Sequence, residues 1–205
     1  DEILNSQKAD AIVFATNNKG KIKETQFVIG DAFPIVTLQE IGILEDIEEP
    51  FFTFRENAFA KANYIYEKLN LTAMAEDSGI VVPALNGAPG VHSARYAGVH
   101  GDDEANNLKL MHALKDIDNR AAYYQCAICL IIAGTPYYFE GKCHGSIALS
   151  PKGNGGFGYD PLFIPEGYLQ TFGELDLNIK TTLSHRGKAL NAFATFMKGV
   201  KNDDI

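Results

Sequence analysis

Leu71-Thr72-Ala73-Met74-Ala75-Glu76-Asp77-Ser78-Gly79, residues 71–79, runs from an apolar stretch directly into two carboxylates. Leu71 to Ala75 reads as a buried strand. Glu76 and Asp77 then stand at its C-terminal end, followed by a hydroxyl and a glycine turn. Open α/β sheets bind ligands just outside such strand ends. Hard oxygen ligands at that place suit Mg²⁺, and through it phosphate.

The flanking segments extend the same pattern. Upstream, Thr53-Phe54-Arg55-Glu56 has the spacing of a capping box, with Thr53 and Glu56 exchanging bonds at a helix start. The helix it opens carries Phe54, Ala58, Ala62, Ile65 and Leu69 on one stripe, with Lys61 at its edge. Ile43 to Pro50 is an acidic loop. Further back, Ala11 to Ala15 is a short buried strand that breaks at Thr16-Asn17-Asn18-Lys19-Gly20-Lys21. A helix over Lys21 to Ile29 and a strand over Val36 to Leu38 follow. Downstream, Gly79 to Leu85 continues extended, and Gly87-Ala88-Pro89-Gly90 turns the chain. Asp102 to Lys115 is a helix with an acidic first turn and with Leu108, Met111 and His112 near one face. Ala121 to Ala133 and Tyr137 to Leu149 form a long hairpin through Gly134-Thr135-Pro136. Gly153 to Asp160 is a loop, Leu162 to Ile164 a short strand, and Arg186 to Val200 a final amphipathic helix. Helices and strands alternate irregularly, so the class is α/β with a mixed sheet.

Composition narrows the function. The chain has 205 residues and a net charge of −8. A protein that coats nucleic acid carries a basic face, so the acidic balance speaks against that class. A nucleotide site needs only a few local cations. No apolar run reaches the length of a membrane span. Residues 1–10 are polar, lack a signal-peptide core and read as a flexible extension before a domain over 11–205. The absence of an initiator Met points to processing or to a partial chain. Three cysteines cannot all pair, and Cys126 and Cys129 lie three apart in a strand, on opposite faces. Buried free thiols in a reducing, cytoplasmic compartment are expected.

Several side chains can carry chemistry. Thr16, Asn18 and Lys21 sit on a strand-to-helix turn, where amides attract anions. Glu48-Glu49 and Glu76-Asp77 are two acidic pairs in separate segments. Convergence of Glu49 and Asp77 would make a Mg²⁺ site and place a base beside a bound water. Lys61 could reach the same place. Gly153 to Asp160 interleaves glycine with Phe157 and Tyr159 but lacks the Gly-Lys-Ser/Thr ending of a P-loop. Its rings offer a face to a base. Ser184-His185-Arg186 caps the last helix, with Lys180 one turn earlier. Adjacent Ser and His do not orient as a catalytic triad needs, so cation–phosphate or donor–base recognition fits better.

Taken in order, these segments resemble the inosine triphosphate pyrophosphatase family, also called Ham1-like. The matching pieces are TNNKGK at 16–21, TFRENAFAKA at 53–62, AEDSGI at 75–80, GAPGVHSARYAG at 87–98, GGFGYDPLF at 155–163 and SHRGKAL at 184–190. The resemblance implies hydrolysis of ITP, dITP and XTP to the monophosphate and pyrophosphate, with Mg²⁺ as cofactor, in a homodimer. It implies an elongated central sheet flanked by helices, in two lobes with an active-site cleft between them. Thr16, Asn18 and Lys21 would bind phosphate, with Lys61 nearby as a catalytic group. Glu49 and Asp77 would hold Mg²⁺, and Asp77 would be the general base; the loose register leaves Glu45 and Glu48 open as alternatives to Glu49. Ser78 would contact substrate, and Arg95 would border the site. Phe157, Gly158, Tyr159, Asp160, Lys180, His185 and Arg186 would bind the nucleoside end. Pro83 stands where many relatives carry an acid, and Glu76 where many carry Asp.

The mechanism expected is water attack on the α-phosphorus with pyrophosphate leaving. A donor such as Arg186 suits the 6-oxo group of hypoxanthine and xanthine and pairs badly with adenine's amino group. Guanine shares that oxygen, and no residue pattern shows how GTP is rejected. A Maf-like pyrophosphatase and a nucleotide-binding sensor without turnover stand as rivals.

Overall fold

The computed structural model describes residues 11–203. The residue 1–10 extension lies outside them. Six strands form one sheet: β1 (Ile12–Phe14), β2 (Ile35–Thr37), β3 (Ala73–Val81), β4 (Ala121–Ile132), β5 (Thr135–Ile147) and β6 (Phe163–Pro165). Their order is β2-β1-β3-β4-β5-β6. β1 pairs parallel with both β2 and β3, whereas β5 and β6 pair antiparallel, so the sheet is mixed. Five α-helices accompany it: α1 (Lys19–Ile29), α2 (Phe54–Leu69), α3 (Asp103–Ala113), α4 (Leu177–Leu183) and α5 (His185–Asp203).

The described chain divides into two compact units. One comprises residues 11–77, 127–140 and 189–203, the other 78–126 and 141–188. In the first, β1 is wholly buried, and Phe14, Ile65 and Met74 are sealed from solvent. Phe193 of α5 meets Phe33 and Phe139 edge-on, with ring centroids 5.9 and 5.8 Å apart. Such pairs add to simple area burial through the ring quadrupoles. In the second, Ile80, Leu110, Tyr124, Leu162, Phe163 and Phe172 belong to one apolar cluster.

Helix starts follow local chemistry. Asn18, Thr53, Asp102 and Asp176 each accept a bond from the third residue beyond, capping α1 to α4. The Thr53 box is half of the expected form. Thr53 Oγ1 accepts from the Glu56 amide at 3.1 Å, but the Glu56 carboxylate accepts from the Thr53 hydroxyl, at 2.8 Å, as the return bond.

Two expectations need correction, and two features were not foreseen. Glu76-Asp77 do not end a strand, and Gly79 is no turn: β3 runs unbroken through Glu76-Asp77-Ser78-Gly79 to Val81. Buried neighbours on both sides of the carboxylates keep the backbone extended, so polarity alone misplaced the break. The hairpin turns at Ala133-Gly134, both with positive φ, and Thr135-Pro136 already belong to β5. On α3, Leu108 is exposed, while Asn106, Asn107 and Leu110 are the buried residues. That helix turns polar amides inward, which an apolar-stripe reading cannot anticipate. Finally, α4 was not foreseen. Its seven residues are too few to show a periodic stripe.

Candidate functional site

The first unit gathers a cluster of charges around Asp77. Asp77 and Glu76 are both buried on β3. Lys61 of α2 is buried too, and its ammonium donates to Glu49 at 2.6 Å and to the Glu76 carbonyl at 2.5 Å. Lys21 of α1 lies 3.4 Å from the Glu76 carboxylate. Asn57 donates to Asp77 Oδ2 at 3.1 Å and grips both backbone groups of Phe51. That grip fixes the end of the acidic loop and with it Glu49. Burial pushes the Asp77 carboxyl from its usual 3.8 up to about 6; Lys61 and Lys21 oppose the rise, and the Glu49 charge adds to it.

The alternatives to Glu49 separate clearly. Glu45 turns to the exposed Lys68 at 2.8 Å, and that pairing holds its carboxyl below the usual range. Glu48 is exposed. Glu49 is the acidic-loop residue whose charge reaches Asp77.

On the first turn, Asn18 spends its side-chain oxygen on the Lys21 amide, at 3.0 Å. The buried Thr16 accepts from the Asn18 amide at 3.1 Å. The turn is therefore a rigid cap, with the Asn18 amide nitrogen, not its oxygen, as the group able to meet an anion.

The second unit gathers a different cluster. Asp160 is its hub. Its carboxylate accepts from Lys180 at 2.6 Å, from the Tyr124 hydroxyl at 3.0 Å and from the Phe157 amide at 3.1 Å. Lys180 and Asp160 are both buried. Within this cluster Lys180 pairs with Asp160, and the same carboxylate restrains the Phe157 backbone. Gly156 is required here: its φ is +68°, and a Cβ would collide with the Asp160 carboxylate. Tyr124 stacks on His185, with centroids 4.4 Å apart and planes 5° apart. Burial, helped by the Asp160 charge, pushes the Tyr124 hydroxyl pKa well up, so it stays a neutral donor. Arg186 donates to Ser78 at 3.0 Å and lies 5.1 Å from the Phe157 ring centroid. Ser184 caps α5 through the Gly187 amide at 3.0 Å. Gly187 is needed because a Cβ there would strike the Thr181 carbonyl of α4. Arg95 lies on the short turn Gly90–Arg95 and shares a 3.2 Å hydrogen bond with His92.

Known proteins resemble this chain in sequence and in fold. A profile of the Ham1 family covers residues 12–196. The chain belongs to the Ham1 family. It is 46% identical over 187 residues to a dITP/XTP pyrophosphatase of Flavobacterium psychrophilum, covering 91% of this chain and 98% of that one. The corresponding protein of Flavobacterium johnsoniae is 42% identical, with 93% and 99% covered. Among solved structures, the Staphylococcus aureus Ham1 protein superposes with a TM-score of 0.83 at 39% identity, covering 92% and 98% of the two chains. A HAM1 protein from Coxiella burnetii gives 0.84 at 38% identity, with the same coverage.

Two further residues belong to these clusters. Asn57 is four residues before Lys61, one helical turn away, so a site reached by Lys61 is within reach of Asn57 as well. That spacing was a readable signal. Tyr124 had none, because its partners Asp160 and His185 are remote in sequence.

Among the described residues no helix is long and apolar enough to cross a membrane. No group of three or more His, Cys, Asp or Glu that could hold a metal occurs among them. Cys126, Cys129 and Cys143 are buried thiols outside any disulfide.

Proposed function

We propose that this chain hydrolyses the non-canonical purine nucleoside triphosphates ITP, dITP and XTP to the monophosphate and pyrophosphate. The observation that carries the reading is Asp77: a buried carboxylate with a pKa near 6, flanked by two lysines and a second carboxylate. A buried carboxylate set among these charges is placed to take a proton from a bound water. The activity named for the relatives supports the same reading.

In this reaction Asp77 takes the proton of a water that attacks the α-phosphorus, and pyrophosphate departs. Lys21 and Lys61 offset the charge that develops on the phosphate chain. The amide of Asn18 and the hydroxyl of Thr16 receive phosphoryl oxygens. Asn57 holds Asp77 and the acidic loop in place. Phe157 to Asp160, His185 and Arg186 take the nucleoside end, with Ser78 orienting Arg186.

Glu49 and Asp77 fit Mg²⁺. They are hard oxygen donors, and the Glu49 charge already raises the Asp77 pKa, a repulsion a divalent cation would relieve. Mg²⁺ needs only one or two protein carboxylates when phosphates complete its shell. When bound, it neutralises triphosphate charge and acidifies water.

We extend the proposal to a single pyrophosphatase domain from residue 11 onward, acting as a cytoplasmic homodimer. The family resemblance supports the dimer. The three buried thiols, none of them in a disulfide, support the compartment.

Product analysis tests the reaction. Incubation with ITP and Mg²⁺ should yield IMP and pyrophosphate, with little turnover of GTP in parallel. IDP with orthophosphate would mean attack at the γ-phosphorus and would overturn the roles given to Asp77 and Glu49.

A further inference from the structure

Helix α3 lies outside the residues named for chemistry, yet two of its side chains close on one residue of the glycine-rich loop. Asp103 Oδ2 accepts from the Gly158 amide at 2.9 Å. Asn107 Nδ2 donates to the Gly158 carbonyl at 3.0 Å. Positions four apart on a helix share a face, so the pair acts as one two-pronged holder. The N–H of Gly158 belongs to the peptide plane it shares with Phe157, and its carbonyl to the plane it shares with Tyr159. Both planes that flank Gly158 are therefore fixed from outside the loop.

That support has a physical purpose. Gly158 sits at φ +61°, and the space where a Cβ would stand is open, so no side chain packs there to hold the half-buried backbone. Glycine is the residue that loses most conformational freedom on ordering. Without an external hold the Phe157 ring would share that freedom. Asp160 restrains the loop on the other side, through the Phe157 amide. The next residue, Tyr159, is anchored by a 2.6 Å bond from its hydroxyl to the Ser93 carbonyl. The same helix holds a second segment: Asn106 accepts from the Ala97 amide at 2.7 Å and donates to the Ala94 carbonyl at 3.0 Å, on either side of Arg95.

Resting on the reading that Phe157 to Asp160 take the nucleoside end, we propose that Asp103 and Asn107 are positioning residues for base recognition, acting through the Gly158 peptide. They touch no reacting atom. Their loss loosens the base-binding loop and leaves the Asp77 cluster intact. The signature is a change in KM and in base selectivity, not in the handling of pyrophosphate.

The test compares Asp103→Ala, Asp103→Asn and Asn107→Leu with the wild-type protein. Steady-state kinetics with ITP and GTP, product inhibition by pyrophosphate, and the dissociation constant for IMP are measured on each. One hydrogen bond lost from the holder should raise KM for ITP and the IMP dissociation constant roughly 5-fold. The preference for ITP over GTP should fall, pyrophosphate inhibition should not change, and Asp103→Asn, which keeps an acceptor oxygen, should restore wild-type values. Equal KM and IMP affinity in wild type, Asp103→Ala and Asn107→Leu would overturn the inference. So would a parallel loss of IMP and pyrophosphate affinity, or an Asp103→Asn variant as impaired as Asp103→Ala. Asp103 is exposed, so its variants decide the matter should Asn107→Leu fold poorly. A wild-type protein that turns over GTP as fast as ITP would overturn the proposed function instead. The IMP dissociation constants would still judge the holder.

Discussion

Asp77→Asn should cut ITP turnover by roughly 10²–10⁴-fold and at the same time stabilise the metal-free protein at pH 7 by about 2–3 kcal/mol. The kinetic half follows from removing the base. The stability half follows from its pKa, raised by burial from 3.8 to about 6. The folded state then binds the Asp77 proton more tightly than the unfolded chain does. That contribution to stability is fully present below about pH 3.8 and is lost as pH rises through about 6. Near neutrality the protein carries the cost of a buried carboxylate, and asparagine removes it. Asn57 keeps its partner, because the new amide oxygen still accepts. Urea denaturation at pH 7 and pH 4, with chelator present, checks this. The advantage of the variant should be clear at pH 7 and nearly gone at pH 4. A variant less stable at pH 7 would mean that the Lys61 and Lys21 charges outweigh burial, and that Asp77 is a structural ion-pair residue.

Lys180→Met is the second large effect. Lys180 and Asp160 form a 2.6 Å pair whose side chains are 3% and 4% exposed. Removing one partner of such a pair leaves an uncompensated buried charge, which costs about 3–5 kcal/mol. For a chain of this length, that corresponds to a fall in Tm of about 10 °C. The Tyr124 hydroxyl and the Phe157 amide still face Asp160, which sets the loss at the lower end of that range. Adding Asp160→Asn should recover most of the deficit, since asparagine keeps an acceptor for those donors without the charge. Thermal unfolding of the two single variants and the double variant gives the coupling directly. Simple additivity of the single losses would show that the pair is not coupled and that Asp160 is held by its neutral donors alone.

The legible part of the fold was the part written in short range. The capping box at Thr53 announces α2, because a cap bond spans only three residues. The strands around Val13, Met74 and Ile128 announce themselves by unbroken apolar runs that bury on both faces. Where burial and polarity disagree, the local signal fails. Glu76 and Asp77 read as a strand end because carboxylates are rarely buried, yet β3 carries them through its middle. Leu108, placed near one helix face with Met111 and His112, is exposed, and the polar Asn106 and Asn107 are buried.

Sequence by itself determined the α/β class, the Ham1 resemblance carried by its ordered motifs, and the roster of charged residues around 16–21, 45–49, 61 and 76–77. Each of these rests on residue type and near-neighbour spacing. Only the tertiary structure decided which partner each charge takes. It joined Glu49, not Glu45, to Lys61, set Asn57 on Asp77, and turned Asp160 toward Lys180 and Tyr124. Ion pairs and buried hydrogen bonds depend on distances of a few ångströms between segments remote in sequence. The same distances, with the water they exclude, set the pKa of Asp77.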